Sequence, residues 1–303
     1  MAIMADDARL PSAEEILEPS PGAKLRRRMR RHVGITLGGG VFLAIVFMAV
    51  FAPWLSPHDP YVQDLSQRLI PPVWFEKGTW EHVLGTDHFG RDYLSRIMYG
   101  ARISLLIGVA AMLISGVIGT TLGVLAGYFG GRVDMLITFI ITTRLAMPVI
   151  LIALAVVALI GSSLQIVIFV LGFLIWDRFA VVMRSATQQV RNLDYVAAAK
   201  AAGCSTLRIV LTEIMPNIVN SLIVVATVEV AHAIILEAAL SFLGLGVQPP
   251  LPSWGLMISE GKGLMFFQPW VIAIPGTALF ILILSVNMLG DGIRDVTAPE
   301  NRN

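Results

Sequence analysis

Six stretches of the chain stay apolar long enough to cross a bilayer, at about 33–55, 103–128, 134–160, 164–183, 217–244 and 269–291. A helix needs roughly 20 such residues to cross a hydrocarbon core about 30 Å thick, and longer runs are accommodated by tilt. No segment alternates with the period of two that marks a barrel strand. Backbone N–H and C=O groups cannot stay unpaired in hydrocarbon, so each span is expected as a helix. The pattern predicts an all-α polytopic membrane protein with about six transmembrane helices.

The polar segments set an expected orientation. Residues 1–32 read as an N-terminal tail whose basic cluster, Lys24, Arg26, Arg27, Arg28, Arg30 and Arg31, directly precedes the first span. That span is too long for a signal-peptide core, and no small-residue cleavage site follows it, so it reads as uncleaved. Positive charge favours the cytoplasmic side, which places both tails, 1–32 and 297–303, in the cytoplasm around a membrane domain at 33–296. A loop at about 184–216, with Arg184, Arg191, Lys200 and Arg208, then also lies inside. The loop at about 56–102 lies outside, against the rule, because it carries Arg68, Lys77, Arg91, Arg96 and Arg102.

Composition agrees: 56% of the 303 residues are hydrophobic and 14% charged, against roughly a quarter charged in soluble domains. The mean hydropathy is +0.76. The basic residues are local rather than spread over one face, which argues against nucleic acid. A single cysteine, Cys204, excludes an intrachain disulfide. The sequence contains no CxxC, HExxH or GxxxxGK[ST] motif, so any ATP chemistry is expected in another chain.

Within the second span, Ala111, Ser115, Gly119, Gly123 and Gly127 recur every four residues, continuing to Gly131. Small side chains on one helical face let another backbone approach closely. Such a ladder serves either fixed helix packing or a surface on which two parts slide.

The loop between the fourth and fifth spans is the most informative segment. Asp194-Tyr195-Val196-Ala197-Ala198-Ala199-Lys200-Ala201-Ala202 reads as a short Ala-rich helix with Asp194 as its cap. Gly203 stops it, Ser205 caps a second short helix, and Pro216 opens the fifth span. A helix–turn–helix with a small-faced first arm is suited to a cleft on another protein. It resembles the EAA loop of binding-protein-dependent ABC importer permeases: Ala198 and Ala199 match the paired alanines, and Gly203 and Pro216 keep the thirteen-residue spacing. Ala197 replaces the Glu, Met215 the Leu and Glu213 the Ile of that pattern, which puts any charge contact of the missing Glu in doubt.

Two further segments narrow the resemblance to the DppC/OppC type of peptide-importer permease. They are His82 to Leu105, containing Gly85-Thr86-Asp87-His88-Phe89-Gly90-Arg91-Asp92, and Glu237 to Gly255, containing Leu243-Gly244-Leu245-Gly246. The resemblance covers about 33–296. It implies the type I ABC importer permease fold in the bacterial cytoplasmic (inner) membrane. It also implies a homologous second permease of the DppB/OppB type, two ATPase subunits holding ATP and Mg2+, and an extracytoplasmic peptide-binding protein. The chain itself is expected to bind no cofactor and catalyse nothing, and the loop is expected to dock on an ATPase.

Ionisable residues inside apolar spans are costly and therefore functional candidates. Arg144, Asp177, Glu229, His232 and Glu237 are the candidates for the translocation path, with Glu229 and His232 one turn apart and able to hydrogen-bond. They serve equally well as a buried network holding helices together. His82, Asp87, His88 and Asp92 match no zinc or EF-hand template and are expected to order the loop rather than hold metal. A proton-coupled secondary transporter relaying through Glu229, His232 and Asp177 is the main rival. Permeases for nickel chelates, glutathione or haem, and a scaffold or receptor without transport, are the others.

Overall fold

Helices dominate the described residues, 32–297, of this computed structural model, and the one bridge among them joins Thr86 to Asp92. The basic cluster at 24–31 and the last six residues lie outside the described part. The first apolar segment forms α1, Gly34–Val50, followed by a single turn at Ala52–Leu55. A long loop leads to α2, Tyr93–Phe129, whose 37 residues span about 55 Å at 1.5 Å per residue.

Helix α2 begins ten residues before the expected span, and the reason is local. Asp92 caps it, with Oδ2 accepting from the Ser95 amide at 2.7 Å and the Ser95 hydroxyl at 2.6 Å. Arg96 and Arg102 lower the hydropathy of this first part, which is why 93–102 reads as loop.

The expected single span at 134–160 is two helices, α3 at Gly131–Leu145 and α4 at Val149–Ile160, bent by 81°. Pro148 lacks an N–H and pushes its predecessor out of the helical region, so the rod breaks there. Helices α5, Leu164–Leu174, and α6, Asp177–Val190, follow one line with a step at Ile175 and Trp176. Next come α7, Asp194–Ala201, α8, Thr206–Phe242, α9, Trp254–Gly261, and α10, Trp270–Thr297. Among the described residues α2, α5–α6, α8 and α10 are each long and apolar enough to span, α3–α4 is a fifth, bent candidate, and α1 is a shorter apolar helix.

The chain continues through Pro216 instead of restarting there. A π-helical turn at Ile209–Ile214 absorbs the missing N–H just ahead of the proline. The Asn217 side-chain amide also donates to the Glu213 carbonyl at 2.6 Å. The second arm of the loop and the fifth span are therefore one rod.

The small-residue ladder is a packing surface against α6. A Cβ on Gly123 would stand 2.6 Å from the Ala180 carbonyl oxygen and 2.9 Å from the Arg184 amide nitrogen. One on Gly127 would stand 2.6 Å from Thr187 Cβ, and one on Gly119 would collide with the Trp176 carbonyl. Ala111 and Ser115 are fully buried above them. Gly131 has no neighbour within 4 Å of such an atom and lies outside the ladder. On other faces α2 meets α8 where Gly108 abuts Ile234, and α1 meets α10 where Gly38 abuts Ser285 and Met288.

At the end of the molecule where α2 begins, Trp254 of α9 is fully buried against Gly100 and donates to the Ile97 carbonyl at 2.9 Å. Beside it Asp87, Arg91, Arg96 and Glu260 form a buried ion network. Asp87 Oδ2 accepts from Arg91 and Arg96, both at 2.6 Å. Glu260 accepts from Arg91 at 3.1 Å and Arg96 at 2.7 Å. Burial holds the Glu260 carboxyl above its usual range, only partly offset by Arg91 beside it. Two of the five basic residues that conflict with the charge rule are thus enclosed by carboxylates rather than presented as free cations.

Candidate functional site

Two helix breaks lie side by side and create a polar pocket in the apolar bundle. At the α3–α4 break the Arg144 guanidinium donates to the Met147 carbonyl at 3.3 Å and also to Leu174 O, at the end of α5. Met147 lies in the break itself, and Leu174 is the last residue of α5, whose carbonyl the ending helix leaves without a partner. Across the α5–α6 step, Asp177 and Arg178 open α6. Arg144, Asp177, Arg178 and His232 of α8 together line a pocket of about 240 Å³.

Arg178 and Leu145 also line a larger cavity of about 860 Å³ between α6, α8 and α10. Its polar wall is made by Gln189, Asn217, Asn220, Ser221, Glu229 and Arg294. Glu229 has no exposed surface and accepts from Arg178 at 3.3 Å. Its other oxygen lies 3.2 Å from His232 Nδ1, the one-turn contact expected from the spacing. Arg178 is therefore turned toward Glu229.

Four of the five path candidates, Arg144, Asp177, Glu229 and His232, are brought together here. Glu237 is not. It lies two turns farther along α8, fully enclosed, accepting from Ser241 at 2.7 Å and Ser253 at 2.9 Å and pressed against Gly255. Its carboxylate ties α8 to the start of α9 and lines neither cavity. Asp134 and Arg184, paired between α3 and α6 with a second bond at 2.8 Å, escaped the sequence reading. They sit in different spans with no fixed spacing between them.

The loop between α6 and α8 is a second built feature, at the far end of α2. Its first helix ends as expected: Gly203 has φ +76, its amide bonds the Lys200 carbonyl at 3.0 Å, and the Cys204 amide reaches back to Ala199 at 3.1 Å. That left-handed position suits glycine because it has no Cβ. Ser205 caps the next turn through the Arg208 amide at 3.4 Å. Asp194 does not cap. Leu193 occupies the cap position without a side-chain bond, and Asp194 is the first helical residue, favourable to the helix dipole.

One face of α7 is anchored and the other is open. Val196 is fully buried with Ile209, Ile214, Ile218 and Met183. Arg191 donates to the Gly127 carbonyl at 2.7 Å, and Lys200 lies 5.2 Å from the Tyr128 ring centroid. Tyr195, Ala197 and Ala198 are exposed, as are Leu193, Leu207 and Leu211. Exposed leucines next to an alanine face form an apolar surface braced by the ends of α2 and α6.

The comparisons with known proteins agree with one another. Residues 119–303 match the family described as binding-protein-dependent transport system inner membrane component, and residues 20–72 match the N-terminal transmembrane domain of oligopeptide transport permease C. The chain is 40% identical over 293 residues to the di/tripeptide transport system permease protein DppC of Pseudomonas aeruginosa, covering 96% of each chain. It is 41% identical to the dipeptide transport system permease protein DppC of Escherichia coli, covering 89% of this chain and 90% of that one. It is 39% identical to the glutathione transport system permease protein GsiD of Pectobacterium atrosepticum, covering 91% and 89%. Among solved structures, an inward-facing form of the MetNI methionine ABC transporter superposes with a TM-score of 0.58 at 20% identity. It covers 68% of this chain and 98% of that one, a likeness of fold.

Proposed function

The chain belongs to the family of binding-protein-dependent transport system inner membrane components, and from that premise we propose that it is a permease subunit for dipeptides and other short peptides in an ATP-binding-cassette importer. A homologous second permease completes the translocation path, and two ATPase subunits hold ATP and Mg2+. A peptide-binding protein delivers substrate from outside. The relatives named for dipeptides and di/tripeptides support the substrate class, and the glutathione relative marks the alternative. Both tails and the loop at 184–216 face the cytoplasm, and the loop at 56–92 faces outward.

The observation that carries the reading is the braced loop between α6 and α8. An arm that transmits force must be rigid toward its own protein and complementary toward its partner. Val196, Arg191 and the Gly203 turn supply rigidity, while Tyr195, Ala197, Ala198, Leu207 and Leu211 offer the open apolar face. Because α8 is continuous from Thr206, displacement at the loop reaches Glu229 along one rod, about 35 Å away. ATP-driven closure of the engines would then bias a bundle with two packings of similar energy between inward- and outward-open states. The cavity beside Glu229 offers amide, hydroxyl and charged groups suited to peptide bonds and termini.

The test is uptake of a labelled dipeptide by vesicles holding the reconstituted complex, competed with tetrapeptides, glutathione and metal chelates. ATP-dependent uptake is expected, and Gly203→Arg or Ala198→Trp should insert normally yet lose it. Uptake that ignores ATP and collapses with the proton gradient would refute the proposal in favour of a secondary transporter.

A further inference from the structure

Three segments of the 56–92 loop converge on one point beside the start of α2. His58 comes from the turn after α1, His82 from the middle of the loop, and Asp92 is the cap of α2. One ligating atom from each lies within 4.8 Å of the others. His82 Nδ1 is 2.8 Å from Asp92 Oδ1, and His58 Nδ1 is 3.7 Å from the same oxygen. His82 and Asp92 are buried, and His58 Nδ1 is shielded from solvent without a hydrogen-bond partner. The backbone that presents His58 is held in place: its amide donates to Ser95 Oγ at 3.2 Å, and its carbonyl accepts from Ser56 Oγ.

The hydrogen bonds of His82 contain a conflict. Nε2 lies 2.7 Å from Gln67 Oε1 and Nδ1 lies 2.8 Å from a carboxylate oxygen. Both neighbours are acceptors, whereas a neutral imidazole has one N–H and one lone pair. A cation on the Nδ1 side resolves this, because Nε2–H then donates to Gln67 and the lone pair points at the ion. A ligating histidine whose second nitrogen donates to an oxygen is the usual outer-shell arrangement of a metal centre.

We propose that His58 Nδ1, His82 Nδ1 and Asp92 Oδ1 bind one divalent transition-metal ion of the zinc class, with Gln67 orienting His82 and water completing the coordination. Two imidazoles and a carboxylate form a borderline-soft donor set that favours zinc, nickel or copper over calcium or magnesium. Ligands about 2.1 Å from a tetrahedral ion stand about 3.4 Å apart. The His82–Asp92 edge must open and the two edges at His58 must close. His58 is part-exposed on a loop and is the member free to close its two edges, while the His82–Asp92 edge opens by a shift of those two side chains. Sequence spacing hid the site because His58 lies 24 positions before His82, while the nearer Asp87 is taken by Arg91 and Arg96. The ion would tie the loop to the turn after α1 and to the N-terminus of α2.

The experiment uses the full-length chain carrying a tag without histidines, stripped with EDTA, dialysed, and titrated with Zn2+ and separately with Co2+. One Zn2+ per chain is expected to bind saturably, to survive desalting, and to raise the thermal midpoint by about 5 °C or more at a hundredfold excess over Kd. Co2+ should give the intense visible bands of a tetrahedral site. His58→Ala should weaken binding at least about tenfold and abolish those bands. His88→Ala, at a histidine packed at a tilt against Phe89 and outside the three-ligand group, should bind as the parent does. The absence of saturable Zn2+ binding, or a His58→Ala chain that titrates like the parent, overturns the site and leaves His82 as a hydrogen-bonded partner of Asp92.

Discussion

Replacing Gly123 by alanine isolates the contact on which the bundle is built. The added Cβ would lie 2.6 Å from the Ala180 carbonyl oxygen, 2.9 Å from the Arg184 amide and 3.0 Å from Met183 Cβ. Optimal contact is about 3.5 Å, and two of these neighbours are helix backbone that cannot rotate away, so α2 and α6 must part by nearly an ångström. Overpacking of this kind costs about 1–3 kcal/mol. The intrinsic gain of alanine over glycine in a helix, about 1 kcal/mol in water, opposes it and obscures the sign of a single measurement. Gly40→Ala supplies the control, because nothing lies within 4 Å of its added atom. Subtracting the two variants cancels the propensity and leaves the steric cost.

At about 2–4 °C per kcal/mol for a chain of this size, Gly123→Ala should melt about 2–12 °C below Gly40→Ala. Gly116→Ala, whose nearest neighbour is the Phe179 ring at 3.4 Å, should fall close to the control. The assay is the monodisperse fraction of the full-length chain after heating in detergent, read by size exclusion at a common heating rate. A Gly123→Ala chain that melts with or above Gly40→Ala would show that α2 and α6 are not in backbone contact.

Other outcomes follow from the charged clusters. Arg96→Ala leaves the buried Asp87 and Glu260 with Arg91 as their one shared cation, and loss of the two Arg96 pairs should cost about 3–5 kcal/mol and show as poor folding yield. Arg96→Lys should not restore it, because a single ammonium cannot reproduce the forked contact; parent-like melting of Arg96→Ala would contradict the network. Glu229→Gln should keep the melting midpoint within about 2 °C, an offset worth under about 1 kcal/mol, yet change uptake rate or peptide preference, and unchanged transport would remove Glu229 from the path. Glu237→Ala should do the reverse, lowering stability by about 1–3 kcal/mol as Ser241 and Ser253 lose their acceptor. A stable Glu237→Ala chain with altered peptide preference would instead return that residue to the path.

Helical membrane architecture was legible from the linear pattern, because burial in lipid demands long apolar runs wherever they fall in the fold. The turn at Gly203 and the cap at Ser205 were legible too, since both are satisfied by atoms within five residues. The contact of Glu229 with His232 belongs to the same class, being one helical turn long.

What the sequence withheld depends on partners far away along the chain. Hydropathy alone cannot see that Pro148 divides one apolar run into two helices while Pro216 interrupts nothing. The difference lies in a π-helical turn at one site, and at the other in Arg144 bonding the Met147 carbonyl within the break and the Leu174 carbonyl at the end of α5. Nor could it separate Glu229 from Glu237, two carboxylates on one helix. Only the placement of α6 beside one and α9 beside the other decides which faces a cavity and which is sealed. Local chemistry repeats with the helical period and can be read in order, whereas the environment of a charge is set by whichever element packs against it.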